Sequence, residues 1–421
     1  MGRSSLGKFP MKPNIPDTTE QTMLERVDAA AMLDRTLAWS GIQSGTGNLD
    51  GLARQAQALA DAFSALPGDI RLEEPEPITA IGTDGSEMPL TRGKHLVVSV
   101  RPNSNRRLLL TGHMDTVFPA DTDFRTVREV EPGVLNGPGL ADMKGGISVI
   151  LEALKVFETS PAAGDIGYDV MINSDEETGS AASAPLIERL ARGKMAALTY
   201  EPATLPDGTL AGARGGSGNY SLIVTGRSAH AGRNPQDGRN AIVAAADLAM
   251  RLKALTYDEM SVNPAKIEGG SANNVVPDHA VLRFNIRPKT LKAAQHFDLS
   301  LSLMLEEVSA EHDVQIHLHG GISRPPKPID EKAEKLFSAV QDCCEGLGLH
   351  YGRKDTGGVC DGNNIAACGV PVVDTMGVRG GAIHSPDEYM IVESLAERAK
   401  LSALLFHRLA LGALDAREIA R

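Results

Sequence analysis

The chain has 421 residues, 42% of them hydrophobic and 23% charged, and this balance predicts a globular protein of two or more domains. Its 42 basic and 54 acidic residues give a net charge of −12 without any Lys/Arg-rich run, which argues against a nucleic-acid groove or an anionic membrane surface as a partner. No stretch approaches the roughly 20 apolar residues that a transmembrane helix requires, so no membrane partner is expected.

The cysteines and the N-terminal residues indicate the compartment. Cys343 and Cys344 are adjacent, Cys360 and Cys368 stand apart, and no CxxC spacing occurs, so we expect free thiols in a reducing compartment. Residues 1–16 have no apolar core and no small-residue cleavage site, so we expect a flexible leader and not a signal peptide. Together these features predict a cytoplasmic protein.

Apolar runs alternate with helical patterns through the first half of the chain. Two helices are expected first, over about Thr18 to Trp39 and about Gly51 to Ala65. Strands follow at HLVVSV, LLLTGH, YDVMINSD and MAALTYEP, and helices at MKGGISVILEALKVFE and SAPLIERLA. Strands that alternate with helices predict an α/β fold with a helix-covered, mostly parallel sheet. We assign residues 1–213 to the first part of this domain.

The pattern changes between two hinges, the glycine-rich segment at Arg214 and the later segment SRPPKP. Between them we predict strand, helix, strand, strand, helix and strand, which is the βαββαβ order of a ferredoxin-like domain. The α/β pattern then resumes with a helix from Asp330 and a terminal helix from Ser394. We therefore expect an inserted domain over residues 214–323, with residues 324–421 completing the first domain.

Five candidate metal ligands stand at predicted strand ends and in loops of the larger domain: His113, Asp142, Glu177, Glu201 and His384. Two imidazoles and three carboxylates are enough for two open metal ions that share a bridging carboxylate. Each motif also has an ordinary interpretation, such as a surface turn, a helix N-cap or a solvated acidic cluster. Because α/β folds place their sites at strand ends, the combination predicts a two-metal hydrolase.

Two further acids flank these ligands. Asp115 lies two residues beyond His113, which on an extended strand places both side chains on one face and lets the carboxylate orient the imidazole. Glu176 and Glu177 are adjacent, and neighbours on an extended backbone point to opposite sides. One of the pair can therefore bind metal while the other acts as a general base.

These motifs carry a specific resemblance to a known family. GHMDTV, GLADMKGG, SDEETGS, YEP and the late H-S-P-D segment resemble the co-catalytic dizinc peptidases and deacylases, from about Leu108 to the C-terminus. That family includes glutamate carboxypeptidase, succinyl-diaminopimelate desuccinylase, acetylornithine deacetylase and aminoacylase. The motifs are most similar to the glutamate carboxypeptidase (carboxypeptidase G) type.

The resemblance implies a zinc exopeptidase-like catalytic domain with an inserted dimerisation domain. It implies two Zn²⁺ per chain, with Co²⁺ or Mn²⁺ as alternative metals. His113 and Glu201 would bind one ion and His384 and Glu177 the other, with Asp142 between them. Glu176 would be the catalytic base, and Asp115 would support His113.

The resemblance extends to other positions of the chain. It implies a cis peptide bond after Asp142. Met143 departs from the family pattern, which has a second acid there; that acid is not a ligand, so only the local packing is expected to differ.

The insert carries three residues that the resemblance assigns to substrate binding. GRSAHAGRNPQDGRNAI is similar to the segment whose histidine, here His230, reaches the active site of the partner subunit. SANNVVPDHAVLRFNIRP is similar to the stretch with a substrate-contacting asparagine, Asn274, and a carboxylate-binding arginine, Arg287. A homodimer is therefore expected, and free edges of the inserted sheet would favour such pairing.

The implied activity is hydrolysis of an amide bond next to a free carboxylate, in a small molecule or a peptide. An N-acyl-amino-acid deacylase or a dipeptidase would use the same site residues with a different pocket. An inactive binding or scaffold protein is the alternative of another class, and the intact set of Glu176 and five ligands argues against it. The acyl group and the preferred side chain stay open.

Overall fold

The structure is a computed structural model that describes residues 15–412. Apart from its last two residues, the leader predicted for residues 1–16 lies outside this range. The described helices are α1 (Thr18–Leu24), α2 (Ala29–Ser40), α3 (Leu49–Phe63), α4 (Gly145–Phe157), α5 (Ala184–Ala191), α6 (Ala241–Ala254), α7 (Leu291–His312), α8 (Glu331–Gly346), α9 (Asp361–Ala367) and α10 (Glu393–Leu411). None of them is both long and apolar enough to cross a membrane.

The strands are mostly short. They are β1 (Asp69–Glu73), β2 (Ile78–Ile81), β3 (Glu87–Leu90), β4 (His95–Val100), β5 (Arg107–His113), β6 (Arg128–Glu131), β7 (Val134–Asn136), β8 (Gly167–Asn173), β9 (Ala196–Thr199), β10 (Leu210–Arg214), β11 (Ser217–Thr225), β12 (Ala229–His230), β13 (Met260–Gly269), β14 (Val275–Val276), β15 (His279–Pro288), β16 (Gln315–Arg324), β17 (Arg353–Thr356), β18 (Val372–Val373), β19 (Gly380–Gly381) and β20 (Tyr389–Ile391).

The main sheet has six strands in the order β1-β4-β8-β5-β9-β18. The pairs β8–β5, β5–β9 and β9–β18 are parallel, whereas β4 runs antiparallel to both β8 and β1. The sheet is therefore mixed, with the predicted parallel arrangement in the strands nearest the candidate ligands. Strands β4 and β8 are buried along their whole length, as expected for strands covered on both faces.

Helices cover both faces of this sheet because successive side chains of each strand point in opposite directions. Leu108 and Leu110 of β5 join a large core with α2, α4 and α10, whereas Leu109 joins a smaller core with α5 and α9. Phe157 of α4 and Phe406 of α10 pack edge to face, with ring centroids 5.9 Å apart. The resulting three layers fix the strand ends that carry the candidate ligands.

A second, wholly antiparallel sheet follows in the order β13-β15-β11-β16. Helices α6 and α7 pack on it around a separate core that includes Leu222, Leu248 and Phe297. Tyr220 and Phe284 stack at 4.8 Å within the same core. Along the chain the elements run β11-α6-β13-β15-α7-β16, which is the order predicted for this segment.

Within residues 15–412, two attachments connect the second sheet to the rest of the protein. The chain enters the second sheet through residues 214–216 and leaves it through residues 323–327, and these two segments form a neck. Within the neck, Arg214 and Lys327 exchange two backbone hydrogen bonds of 2.9 Å. A hairpin of β2 and β3 supplies the other attachment: Ile81 contacts Ile223 and Val281, and Arg283 donates to the Ile81 carbonyl at 2.7 Å. The hairpin was not predicted, although its Asp-Gly turn is a common hairpin signal.

Candidate metal centre

His113 ends β5 at the carboxyl edge of the main sheet and is almost fully buried. Its Nδ1 lies 3.0 Å from the Asp115 carbonyl oxygen, which can only accept, so this nitrogen carries the proton. Its Nε2 lies 3.1 Å from Asp142 Oδ1 and 3.6 Å from Glu201 Oε2. The second nitrogen therefore faces the two acids, and it can bind a metal once it has lost its proton.

His384 approaches Asp142 from the opposite side. It lies in the loop after β19 and has a φ of 63°, a left-handed conformation that is uncommon outside glycine and clusters at functional sites. Its Nε2 lies 3.2 Å from Asp142 Oδ2 and 3.2 Å from Glu177 Oε2. The two oxygens of Asp142 thus face two different imidazoles.

The five predicted ligands form two groups that share one residue. One group is His113, Asp142 and Glu201, and the other is Asp142, Glu177 and His384. Within each group the ligand atoms lie within 4.8 Å of one another. Imidazole nitrogen and carboxylate oxygen suit zinc and related divalent ions, and three protein ligands per ion leave a position open for water or substrate.

Asp142 is held in this central position by its own turn and by Glu388. It lies between β7 and α4, and the Asp142–Met143 peptide bond is cis, as the resemblance implied. Glu388 Oε1 accepts from the N–H groups of Ala141 at 2.9 Å and Asp142 at 3.1 Å, and its Oε2 accepts from Gly139 at 3.2 Å. Glu388 was not singled out from the sequence, although it directly follows the H-S-P-D motif.

Met143, the residue that departs from the family pattern, packs against the end of β5. Its side chain is fully buried, and its sulfur accepts from the His113 N–H at 3.3 Å. Met143 also leaves no room for a side chain at position 112. A Cβ added to Gly112 would lie only 2.7 Å from the methyl carbon of Met143. Met143 therefore fills the space next to the end of β5 and packs against the backbone of Gly112 and His113.

Asp115 connects His113 to the acidic turn. Its carboxylate lies 3.5 Å from His113 Nδ1 and accepts from Thr46 Oγ1 at 2.8 Å. The N–H groups of Glu176 and Glu177 also donate to it, each at 3.2 Å. Asp115 thus orients the imidazole mainly through its main-chain carbonyl, whereas the prediction assigned that role to the carboxylate. The carboxylate instead fixes the backbone of both glutamates, a role that was not predicted.

Glu176 and Glu177 take different places, for a reason other than the one predicted. The backbone of residues 176–178 forms a single 3-10 turn and is not extended. Glu177 faces His384, whereas Glu176 accepts from Arg324 Nη2 at 2.7 Å and belongs to neither ligand group. Both line a cavity of about 510 Å³ together with Asp142, Glu201 and His384.

Burial and charge set the protonation of the candidate ligands. Hydrogen bonds to Asp142 and Glu177 raise the pKa of His384 to about 10. Burial raises the pKa of Glu177 to about 7, and the negative charge of Asp142 acts in the same direction. Burial also opposes ionisation of Asp142, but hydrogen bonds from the two histidines outweigh it and hold the pKa of this carboxyl below its usual range. Protons and metal ions therefore compete for the same atoms.

A third group of possible ligands lies on the helical layer of the second sheet. Asp247, Glu311 and His312 are close together there but partly or fully exposed. Arg251 already pairs with both carboxylates of the group, through two hydrogen bonds of 3.0 Å to Asp247 and a contact with Glu311. This cluster is a surface ion-pair network.

The three residues predicted in the insert lie on its surface. His230 pairs with Val275 in the β12–β14 ladder and is exposed. Asn274 is exposed beside it, and its carbonyl accepts from the Ala231 N–H at 2.9 Å. Arg287 is exposed and donates to Asn285 Oδ1 at 3.0 Å. Within residues 15–412 none of the three lines the cavity of the metal centre, so one chain does not bring them to it.

Comparison with known proteins agrees with this geometry. The family model described as Peptidase family M20/M25/M40 matches residues 109–408. Carboxypeptidase G2 of Pseudomonas sp. (strain RS-16) is 29% identical over 381 residues, covering 88% of this chain and 87% of that protein. Succinyl-diaminopimelate desuccinylase of Psychrobacter arcticus is 27% identical over 384 residues, covering 84% and 93%. The crystal structure of aminopeptidase PepT from Bacillus cereus shares the fold with a TM-score of 0.68 at 20% identity, covering 91% of this chain and 99% of that chain.

We expect zinc binding at pH 7 to release at least one proton per chain. His384, with a pKa of about 10, is protonated at that pH and must lose its proton to become a ligand. Raising the pH removes this competition, so the apparent affinity should increase from pH 6 towards pH 9. Calorimetric titrations in buffers of different ionisation enthalpy measure the release directly.

A matched control is His312→Ala, in the exposed cluster, which should leave both stoichiometry and proton release unchanged. Zinc binding without proton release at pH 7 would contradict the protonation assigned to His384.

Proposed function

The chain belongs to the peptidase family M20/M25/M40, and we propose that it is a two-zinc hydrolase that cleaves an amide bond next to a free carboxylate. The single observation that supports this best is the place of Asp142, whose two oxygens face two separate histidine–carboxylate groups. A carboxylate in that place suits two neighbouring ions. Glu176 stands beside both groups without belonging to either, as a general base should.

The metal-binding residues divide between the two proposed ions. His113 and Glu201 would hold one, His384 and Glu177 the other, and Asp142 both. When bound, zinc polarises a carbonyl oxygen and lowers the pKa of water from about 15.7 towards about 7. The protein's part is to keep the imidazole of His113 in the required tautomer, through the Asp115 carbonyl.

Glu176 moves the proton in the proposed reaction. It accepts a proton from the attacking water and delivers it to the nitrogen of the leaving group, so that the amide becomes an amine and a carboxylic acid. The neighbouring cavity walls are largely apolar and include Pro202, Ala203, Val359 and Ile383. A cavity of about 510 Å³ suits a small molecule or a short peptide.

The comparisons support two related substrate classes. One relative is named a carboxypeptidase, which favours a substrate whose scissile amide is next to a terminal carboxylate. Others are named succinyl-diaminopimelate desuccinylases, which keeps an N-acyl-amino-acid deacylase as the second candidate. Both classes use the same metal centre and differ in what the cavity accepts. We propose the carboxypeptidase type because its motifs are the most similar.

The inserted sheet, within residues 214–323, is proposed as a dimerisation domain between two parts of the catalytic domain, 1–213 and 324–421. Its helical layer exposes large apolar side chains, namely Met250 at 73%, Leu299 at 68% and Leu303 at 62%. Exposed apolar groups on a helix layer favour contact with a second copy. In that homodimer His230 would complete the neighbour's active site, while Asn274 and Arg287 contact the substrate. The four free cysteines support a cytoplasmic location.

Glu176→Gln should retain both metal ions and the fold while losing turnover by at least about 100-fold, because it removes the base and no ligand. Glu177→Ala should instead lose metal, because its carboxylate faces His384 and Asp142. Metal analysis of the purified variants together with kcat separates the two effects. The opposite pattern would exchange the roles of the two glutamates.

Zinc-loaded protein should hydrolyse N-acyl-glutamates faster than the same compounds with the terminal carboxylate amidated. If Arg287 binds that carboxylate, Arg287→Lys should raise KM for the free acids, because an ammonium cannot replace a bidentate guanidinium. The amidated analogues serve as the control and should be little affected. An equal loss on both substrates would make Arg287 a structural residue.

Mixing two inactive variants tests the exchange of His230 between subunits. Glu176→Gln and His230→Ala proteins, after subunit exchange, should form heterodimers in which one of the two sites is complete. A one-to-one mixture should recover about a quarter of wild-type activity if exchange is statistical. Native mass spectrometry verifies the exchange, and no recovery despite heterodimers would refute the role across the interface.

A further inference from the structure

The neck of the inserted sheet ends beside the proposed base. Arg324 is the last residue of β16 and is 2% exposed. Its Nη2 lies 2.7 Å from Glu176 Oε1, 3.1 Å from the Glu176 carbonyl oxygen and 2.9 Å from Ser180 Oγ. One guanidinium therefore contacts both the side chain and the main chain of the same glutamate.

The guanidinium is itself anchored on the other side. Its Nη1 donates to Asp361 Oδ1 at 2.8 Å and to Asn364 Oδ1 at 3.2 Å. Asp361 also accepts from Ser180 Oγ at 2.6 Å and from Asn173 Nδ2 at 2.8 Å. Since charge-assisted hydrogen bonds between buried groups are short and strongly directional, this network leaves the guanidinium little freedom.

The start of α9 fixes the backbone around Arg324 as well. Asn363 Nδ2 donates to the carbonyls of Gly215 at 2.9 Å and Pro325 at 2.8 Å, one on each chain of the neck. Asn364 Nδ2 donates to the Ser323 carbonyl at 2.8 Å. The neck is thus clamped to the catalytic part of the chain at the point where the Arg324 side chain emerges.

The contact with Arg324 occupies only one oxygen of Glu176. Among the described residues no hydrogen bond reaches Glu176 Oε2, which remains available to accept a proton. General-base catalysis requires this oxygen within hydrogen-bond distance of the reacting water, and a misplacement of about 1 Å costs about 100-fold in rate. The orientation of the carboxylate therefore matters as much as its presence.

We propose that Arg324 is a positioning residue for the reaction, whose guanidinium holds the Glu176 carboxylate with one oxygen directed to the attacking water. It joins the catalytic base to the neck of the inserted sheet. This inference rests on the proposed role of Glu176 as base. The sequence pattern marked Arg324 only as part of a hinge, since nothing local in SRPPKP indicates that it reaches the acidic turn.

Arg324→Lys tests the proposal because an ammonium keeps the charge but cannot bridge Glu176 and Asp361 with a planar fork. We expect kcat to fall about 10- to 100-fold while KM and metal content stay at wild-type values. Arg35→Lys is the matched control, since Arg35 also forms a largely buried ion pair, 2.8 Å from Glu152. It should leave kcat within about twofold of wild type.

A double-variant cycle distinguishes positioning from a general structural effect. If Arg324 acts through Glu176, adding Arg324→Lys to Glu176→Gln should not lower the residual turnover further. Additive losses, loss of metal, or a change confined to KM would each overturn the proposal. So would wild-type kcat in Arg324→Lys.

Folding of each variant is checked by its thermal midpoint. If Arg324→Lys does not fold, Arg324→Gln combined with Asp361→Asn replaces it, because that pair removes the guanidinium together with the charge of Asp361, the carboxylate that anchors it. Failure of both to fold would make Arg324 a structural residue and overturn the proposal. Full turnover in Glu176→Gln alone would refute the base, whereas full turnover in Arg324→Lys beside an inactive Glu176→Gln would refute only the role of Arg324.

Discussion

Negative charge is crowded at one edge of the main sheet, and the arrangement of the surrounding donors and cations follows from it. Six carboxylates lie in or beside one cavity there: Asp115, Asp142, Glu176, Glu177, Glu201 and Glu388. Burying a negative charge is costly, so each carboxylate needs donors or positive charge nearby. The chain itself supplies these for three of them: backbone N–H groups hold Asp115 and Glu388, and Arg324 holds Glu176.

The other three carboxylates depend on the two histidines. Asp142, Glu177 and Glu201 face His113 or His384, which can offset their charge only while the imidazoles are protonated. A histidine that binds metal must be neutral, and that leaves three buried negative charges to be balanced. Two divalent cations would provide this balance. The charge balance and the ligand geometry therefore both favour a centre for two metal ions.

The second sheet contacts the first part of the chain at more places than the neck alone. The two chains of its neck are joined by backbone hydrogen bonds between Arg214 and Lys327. The hairpin of β2 and β3 attaches the sheet at a second place. Through Arg324 the neck also reaches the acidic turn itself. Arg324 thus links the second sheet directly to Glu176.

The amino-acid sequence alone was enough to predict the ligand set of the candidate centre and the order of the elements around it. His113, Asp142, Glu177, Glu201 and His384 could be found because each stands in a short motif at a strand end or in a loop, where local pattern carries the information. The alternation of strands and helices likewise predicted an α/β fold followed by a βαββαβ segment, since periodicity is a local property.

Which distant segments meet could not be predicted from the sequence and is seen only in the folded chain. The antiparallel pairing of β4 with β8 and β1 depends on partners far apart in sequence. Glu388 and Arg324 act through hydrogen bonds that span 246 and 148 positions, to Asp142 and Glu176. No periodicity or local motif encodes such contacts, because they arise only when packing brings the segments together.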